Sequence, residues 1–425
     1  MSMMDSSHAA SSSGGALTRK RKIESSGSGD RLSKLTDHAL GHVLSFLSEE
    51  EAAGAAMLSS RWRHVFAAVH SVSLVEPESP IPNYDDRVCH TPEYQCCPDP
   101  NAPLPFYKHR EPIIARQRRR GAVPLRALRV AVESYSGGDS LTVDQWVSYA
   151  VQQGAAEGLD LIPRFQCRSP IWGDLLTGGH GVCWSTPQRR VIFCCAHLRS
   201  PSLSSCRLAP PDTVSLPSLV TLLLSRVSDP GSDVERLVAC CPRLEDLTLE
   251  ACSAVTALSL VGAAHLRRLA LRCCHNLTDV AVDSSELQAF EYRGAGTDGS
   301  FLTMHGDVST TIVYCKVDIC GEEVTMNLRQ LLQLFVNAKH LHLESARLGS
   351  GLDKGMPISL PSFSSLLHLE MRGCLPDDDD DTGAIAIAAV STVLEHAPNL
   401  ETLSLAFHSQ EHDSGDHPSY IRFSD

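Results

Sequence analysis

The sequence predicts an α/β chain: a small N-terminal bundle of three helices, followed by a repeat solenoid whose central coils are rich in strands. Three observations carry this expectation. Leu40, Val43, Leu44 and Leu47 recur at i, i+3, i+4 and i+7, the spacing of one helix face. From about Leu125 onward an L-x-x-L-x-L pattern returns repeatedly. Between Leu244 and Tyr292 further triplets, Val255-Leu258-Leu260 and Leu277-Val280-Val282, fall midway between the main ones and leave no room for helices.

Composition sets the outer bounds. The chain has 425 residues, 43% hydrophobic, 20% charged and only 5% aromatic, the balance of a globular protein with an aliphatic core. The longest nearly apolar run, Gly383 to Leu394, is shorter than the ~20 residues a helix needs to cross a bilayer. The N-terminus has no signal-peptide core, so neither export nor a membrane partner is expected. A net charge of -13 disfavours nucleic acid as a partner of the whole chain, because phosphate binding needs concentrated positive charge. Sixteen cysteines without a signal sequence read as reduced thiols, and no two are spaced as Cys-x-x-Cys.

Residues 1–29 are rich in Ser and Gly and are expected to be a disordered basic tail. Its run Arg19-Lys20-Arg21-Lys22 reads either as a nuclear import signal or as part of a solvated tail. Residues 30–76 form the helical module. Thr36 or Asp37 opens its first helix, Ser48 with Glu51 makes a capping box for a second, and Leu58, Trp62, Val65, Phe66 and Val69 mark a third. Three short helices bury little surface, so part of this apolar face is expected to belong to a partner.

The motifs here are Asp30-Arg31-Leu32-Ser33-Lys34-Leu35, then Leu40-Gly41-His42-Val43-Leu44-Ser45-Phe46-Leu47, then Leu58-Ser59-Ser60-Arg61-Trp62-Arg63. This stretch resembles the F-box of plant F-box/leucine-rich-repeat proteins. Thr36 stands where that family usually has proline, Ala39 replaces a common leucine, and Ser60 replaces a frequent basic residue. The resemblance implies that Leu32, Leu35, Leu40, Val43, Leu44, Phe46, Leu47, Leu58 and Trp62 contact a Skp-family adaptor.

Residues 77–124 are rich in Pro and Arg, with Cys89, His90, Cys96 and Cys97 in one loop, and read as a linker or insertion. No metal or other cofactor is expected there or elsewhere: the cluster is a lone one, and the five aspartates Asp377 to Asp381 read as a solvated loop.

Residues 125–408 carry the repeats. The pattern occurs at Leu219-Leu222-Leu224, Leu244-Leu247-Leu249, Leu266-Leu269-Leu271, Leu366-Leu369-Met371 and Leu400-Leu403-Leu405. Variants stand at Leu287-Phe290-Tyr292 and Leu341-Leu343, and weaker ones at Leu125-Leu128-Val130 and Leu203-Cys206-Leu208. This is the signature of a leucine-rich repeat, with one strand per coil. Cys252, Cys274 and Cys374 take the Asn/Cys position that follows and read as buried. Helical spacing at Asp233 to Ala239, Asn327 to Phe335 and Ala384 to Glu395 precedes later strands, and 409–425 reads as a tail.

Strand alternation turns the leucines inward and the residues between them onto the concave surface. That surface is expected to offer Asp246, Thr248 and Glu250; Arg268 and Arg272; Glu291 and Arg293; His340, His342 and Glu344; His368, Glu370 and Arg372. Mixed charge of this kind suits a protein or peptide target better than a polyanion. The chain has no phosphate-binding Gly-rich loop of the Walker type, no H-E-x-x-H and no G-x-S-x-G, so no enzyme is expected.

Val143-Asp144-Gln145-Trp146-Val147, Leu159-Asp160-Leu161 and Ala397-Pro398-Asn399-Leu400-Glu401-Thr402-Leu403 also resemble the plant family. The resemblance implies a three-helix F-box followed by a leucine-rich-repeat solenoid, acting as substrate receptor of an SCF ubiquitin ligase in the nucleus or cytoplasm. Its partners would be the Skp adaptor, through it the cullin and RING subunits, and an unknown target protein. Two other readings are open at this point: a leucine-rich-repeat scaffold acting outside a ligase, and a nuclear RNA-associated protein that would use Arg19 to Lys22 and Arg116 to Arg120.

Overall fold

The computed structural model describes residues 32–47, 49–67, 69, 71–75, 125–132, 140–152, 157–163, 187–204, 206–283, 285–294, 301–305, 311–319, 328–347, 360–374, 380–408 and 419–424. The basic tail, the capping Ser48, the 77–124 segment and its cysteine cluster lie outside the described residues.

A 3-10 turn at Leu32–Lys34 leads into α1 (Asp37–Leu44), α2 (Glu49–Ala56) and α3 (Ser60–Ala67). Thr36 is the residue that caps α1, its hydroxyl oxygen accepting from the Ala39 N–H at 3.3 Å. That satisfies one of the donors a helix start leaves unpaired. Ser59 does the same for α3 through the Trp62 N–H at 3.3 Å. Leu40 and Leu44 pack with Ala52, Ala56, Val65 and Phe66 in a small separate core. Arg61 ties α3 to the start of α1, donating to Asp37 at 2.8 Å and to the Leu35 carbonyl.

Sixteen strands follow: β1 (Ser71–Val75), β2 (Ala127–Val132), β3 (Gly158–Pro163), β4 (Ser200–Ser204), β5 (Thr221–Ser225), β6 (Asp246–Glu250), β7 (Ala257–Val261), β8 (Arg268–Arg272), β9 (Asp279–Asp283), β10 (Ala289–Gly294), β11 (Leu302–Met304), β12 (Tyr314–Ile319), β13 (His340–Arg347), β14 (His368–Cys374), β15 (Thr402–His408) and β16 (Ser419–Ser424). Thirteen make one sheet in the order β1-β2-β3-β4-β5-β6-β8-β10-β12-β13-β14-β15-β16. Its strands pair in parallel except β15 with β16. The remaining three form a second parallel sheet, β11-β9-β7, across the core from the central coils. The triplets at Leu258-Leu260 and Val280-Val282 are thus strands on the opposite wall, as their half-period requires. α4 (Ser140–Gln152), α5 (Gly231–Ala239), α6 (Leu328–Gln333) and α7 (Asp380–Glu395) occupy that side in the other coils.

Four boundaries differ from the sequence expectation. β1 belongs to the long sheet, so the solenoid begins at Ser71, inside the stretch assigned to the helical module. In the coil read as Leu203-Cys206-Leu208 the strand lies earlier: Leu198, Pro201 and Leu203 are the inward triplet, and a proline hides the motif. Asp380 and Asp381 belong to α7 rather than to a loop, while Asp377 to Asp379 lie outside the described residues. β16 places part of the expected tail on the sheet edge.

The coils repeat a turn as well as a strand. Arg226, Ala251 and Cys273 directly follow β5, β6 and β8 and adopt φ of 52°, 52° and 54°. Each N–H donates to the next coil, to the carbonyls of Glu250, Arg272 and Arg293. The left-handed turn drops the following side chain into the core, and Cys252 and Cys274 are buried there. Their thiols donate back to the carbonyls of Leu224 at 3.5 Å and Leu249 at 3.8 Å, which explains a cysteine at this position. The hydrogen bond between the two thiols, and then burial, leave Cys274 with its pKa raised far above the ordinary value.

Two contacts fix α5. Gly231 lies against β7, where a Cβ would stand 1.9 Å from the Ala257 carbonyl oxygen. Glu235 accepts from the Ser259 N–H at 2.6 Å, which caps a donor on the outer edge of the second sheet.

Candidate functional site

Two surfaces stand apart, one on the helical module and one on the concave face of the long sheet. Of the nine residues expected to contact an adaptor, Leu32, Leu35, Val43, Phe46 and Leu58 are exposed, Phe46 and Leu58 to 77% and 75%. Leu47 and Trp62 are half-buried. Leu40 and Leu44 are turned inward, each 1% exposed, and this corrects the expectation that Leu44 lies on the open face. The i, i+4 pair points into the bundle, while Val43, on the other side of α1, and Phe46, just past its end, face out. Met57, 79% exposed beside Leu58, adds to the exposed apolar surface of the module and was missed because it precedes the motif. Large apolar side chains left exposed on a module this small make it a candidate interaction surface.

On the concave face, the strand register lines up residues from coil to coil. Asp246 pairs with Arg268, and Glu250 with Arg272 and then Arg293. Arg268 donates to Asp246 and to Glu291, both at 3.1 Å. Arg272 makes two bonds to Glu291 at 3.0 and 2.9 Å. Burial pushes the Glu291 carboxyl up, but the hydrogen bonds and charge of Arg272, then the charges of Arg268 and Lys316, outweigh it and hold the carboxyl below its ordinary value. Ala270 lies in the middle of this group on β8 and is fully buried. Thr248, expected on the open surface, is buried too, because the paired arginines and carboxylates roof the short side chains between them.

Further along, Arg293 meets Asp318 at 3.1 Å and Lys316 meets Glu344 at 3.5 Å. Arg372 meets Glu370 at 2.7 Å. His342 lies between Glu344 and Glu370, 3.6 Å from each, with an Nε2 atom that has no hydrogen-bond partner. Burial lowers its pKa despite the two carboxylates, so it is neutral at pH 7 and these contacts are not ion pairs. His340 and His368 stack with ring centroids 4.5 Å apart.

All thirteen expected concave residues, the buried Thr248 included, therefore lie on one sheet face, from β6 to β14. Tyr314, Lys316 and Asp318 on β12 complete it and were missed, because their strand is announced by Ile312-Cys315-Val317, a triplet without leucine. Among the described residues no group of three His, Cys, Asp or Glu could hold a metal ion. Among them, too, no helix is long and apolar enough to cross a membrane.

Comparison with known proteins agrees with this architecture. Residues 191–420, more than half of the chain, match the family described as At1g61320/AtMIF1, LRR domain. The F-box/LRR-repeat protein At2g42730 of Arabidopsis thaliana is 24% identical, over 88% of this chain and 76% of its own length. The F-box/LRR-repeat protein At4g14103 of the same plant is 24% identical, over 90% of this chain and 92% of its own. The putative F-box/LRR-repeat protein At3g58880 reaches 29%, over 88% and 76%. With its leucine triplets, its parallel sheet and these matches together, the chain belongs to the At1g61320/AtMIF1 LRR-domain family and is a homologue of the plant F-box/LRR-repeat proteins.

Proposed function

We propose that the chain is the substrate-recognition subunit of an SCF-type E3 ubiquitin ligase, docking on a Skp-family adaptor through its helical module and holding a target protein on the concave sheet. The observation that carries this reading is the pair of unlike surfaces: the exposed apolar side chains Phe46, Met57 and Leu58 of the helical module, and a self-neutralised polar face on β6 to β14. An apolar surface suits a constant partner that buries it permanently, and a polar face suits a partner that must be released. In this reading the cullin and RING subunits and the ubiquitin-loaded enzyme do the chemistry. The chain contributes proximity, raising the effective concentration of the target at the reactive thioester. It would work in the nucleus or cytoplasm, where such ligases assemble.

The test is co-purification of the adaptor. Phe46→Lys with Leu58→Lys places two charges on exposed positions, so the module stays folded. Desolvating them costs several kcal/mol, enough for at least a hundredfold loss of adaptor affinity. Adaptor recovery that is unchanged in this variant refutes the ligase reading and leaves a scaffold acting outside a ligase.

A further inference from the structure

We propose that Tyr314, His340 and His368 form an anchoring shelf for the target, taking an uncharged aromatic side chain from a peptide segment. This deepens the reading above and rests on it.

The three residues stand side by side in register on β12, β13 and β14. The two imidazoles stack nearly flat, 4.5 Å apart with 15° between their planes, and Tyr314 is 38% exposed beside them. Small residues flank the row in the same register: Ala289 on β10 and Thr402 on β15. Along the row itself, no tall side chain therefore stands between Tyr314 and Arg268 on β8.

Charge decides what kind of ring fits. Two imidazolium rings would repel one another in this stack. Burial lowers the His340 pKa, and the nearby His368 and Lys339 lower it further, so His340 is neutral at pH 7. Burial, with Glu291 and Glu370 nearby, raises the Tyr314 pKa, so its hydroxyl remains a donor at the end of the row. The ionic neighbours already hold partners within the face: Lys316 with Glu344, Arg372 with Glu370, and Arg268 with Glu291. A charged side chain would have to displace one of these pairs, whereas a neutral ring laid over the row meets the imidazole edges, an edge-to-face contact that disturbs none of them. Aromatic side chains are also enriched among the residues that concentrate binding energy at an interface.

The probe is a displayed library of random linear peptides selected on the immobilised full chain, with the selected sequence then synthesised for affinity measurement. Wild type should enrich Phe, Tyr or Trp at one position. The selected peptide should bind Tyr314→Ala at least about tenfold more weakly. It should bind the His340→Gln, His368→Gln double variant roughly three- to tenfold more weakly. Arg129→Gln, on β2, should bind it like wild type. Tyr314→Leu repeats the measurement if the alanine variant melts early. A basic or acidic consensus overturns the proposal, as does an aromatic one held equally by all variants or no enrichment at all. Adaptor capture from the same preparations keeps the two readings separate. Peptide selection without adaptor capture refutes the ligase reading alone, and adaptor capture without selection refutes the shelf alone.

Discussion

Arg272→Met tests whether the concave charges hold the sheet together as well as face a target. The substitution keeps the apolar stem against its neighbours and removes both hydrogen bonds to Glu291. Side-chain exposure is 32% for Arg272 and 13% for Glu291, so the pair is neither freely solvated nor fully buried. Hydrogen bonds to charged groups contribute about 1.5 to 3 kcal/mol, while exposed ion pairs contribute about 0 to 1. Arg268 remains as a second partner at 3.1 Å, so the expected loss is about 1 to 2 kcal/mol. Urea unfolding should show it as a lower midpoint at unchanged slope. The pH dependence sharpens the test, because the Glu291 carboxyl is held below its ordinary value of 4.5 in the folded chain. A group with a depressed folded pKa contributes stability that is complete above the unfolded value and is lost as pH falls through the folded one. The gap between wild type and Arg272→Met should therefore be full at pH 7, begin to close below about pH 4.5 and vanish in stronger acid. Equal stability at pH 7, or a gap that persists unchanged in acid, would refute the account of this network.

Leu269→Ala should cost about 2 to 5 kcal/mol, since Leu269 is fully buried between coils. Thr248→Ala, also buried but smaller, should cost about 0.5 to 1.5 kcal/mol rather than nothing, and equal losses in denaturant titrations would mean that the strand face is misread. Gly231→Ala should destabilise by about 2 kcal/mol or more, because its Cβ would meet the Ala257 carbonyl at 1.9 Å and force α5 off β7. Hydrogen exchange should then rise first at Ser259, whose N–H depends on Glu235, and unchanged protection there would sink the contact.

The fold was legible wherever leucine carries the period. Leu247, Leu269 and Phe290 sit opposite one another on β6, β8 and β10, as the L-x-x-L-x-L spacing requires. The second sheet was legible too, because Leu258 and Val280 keep the same alternation at half the repeat. Legibility failed where another residue fills the same inward position. Pro201 on β4, Val72 on β1 and Cys315 on β12 are all buried in strands that the leucine pattern passes over. The inward position demands an apolar side chain of suitable volume and not leucine as such, so a pattern defined on one residue type underestimates the number of coils.

The functional face shows the complementary limit. Alternation identified which residues point away from the core, but pairing between coils determines how much of each remains available. Arg268 and Arg272 were expected among the side chains that the concave surface offers, yet they converge on Glu291 from the neighbouring strand. Replacing both with Glu would bring like charges together around Asp246, Glu250 and Glu291, so the substitution would strain the sheet as well as alter its surface. Loss of target binding in that variant could not be assigned to recognition. Arg372 and Lys316 are committed in the same way, to Glu370 and Glu344. The ring row is different, since Tyr314, His340 and His368 offer aromatic edges without breaking an ion pair, and substitution there changes the face while leaving the network intact. For this solenoid, the residues best suited to reading a target are the ones beside the charges.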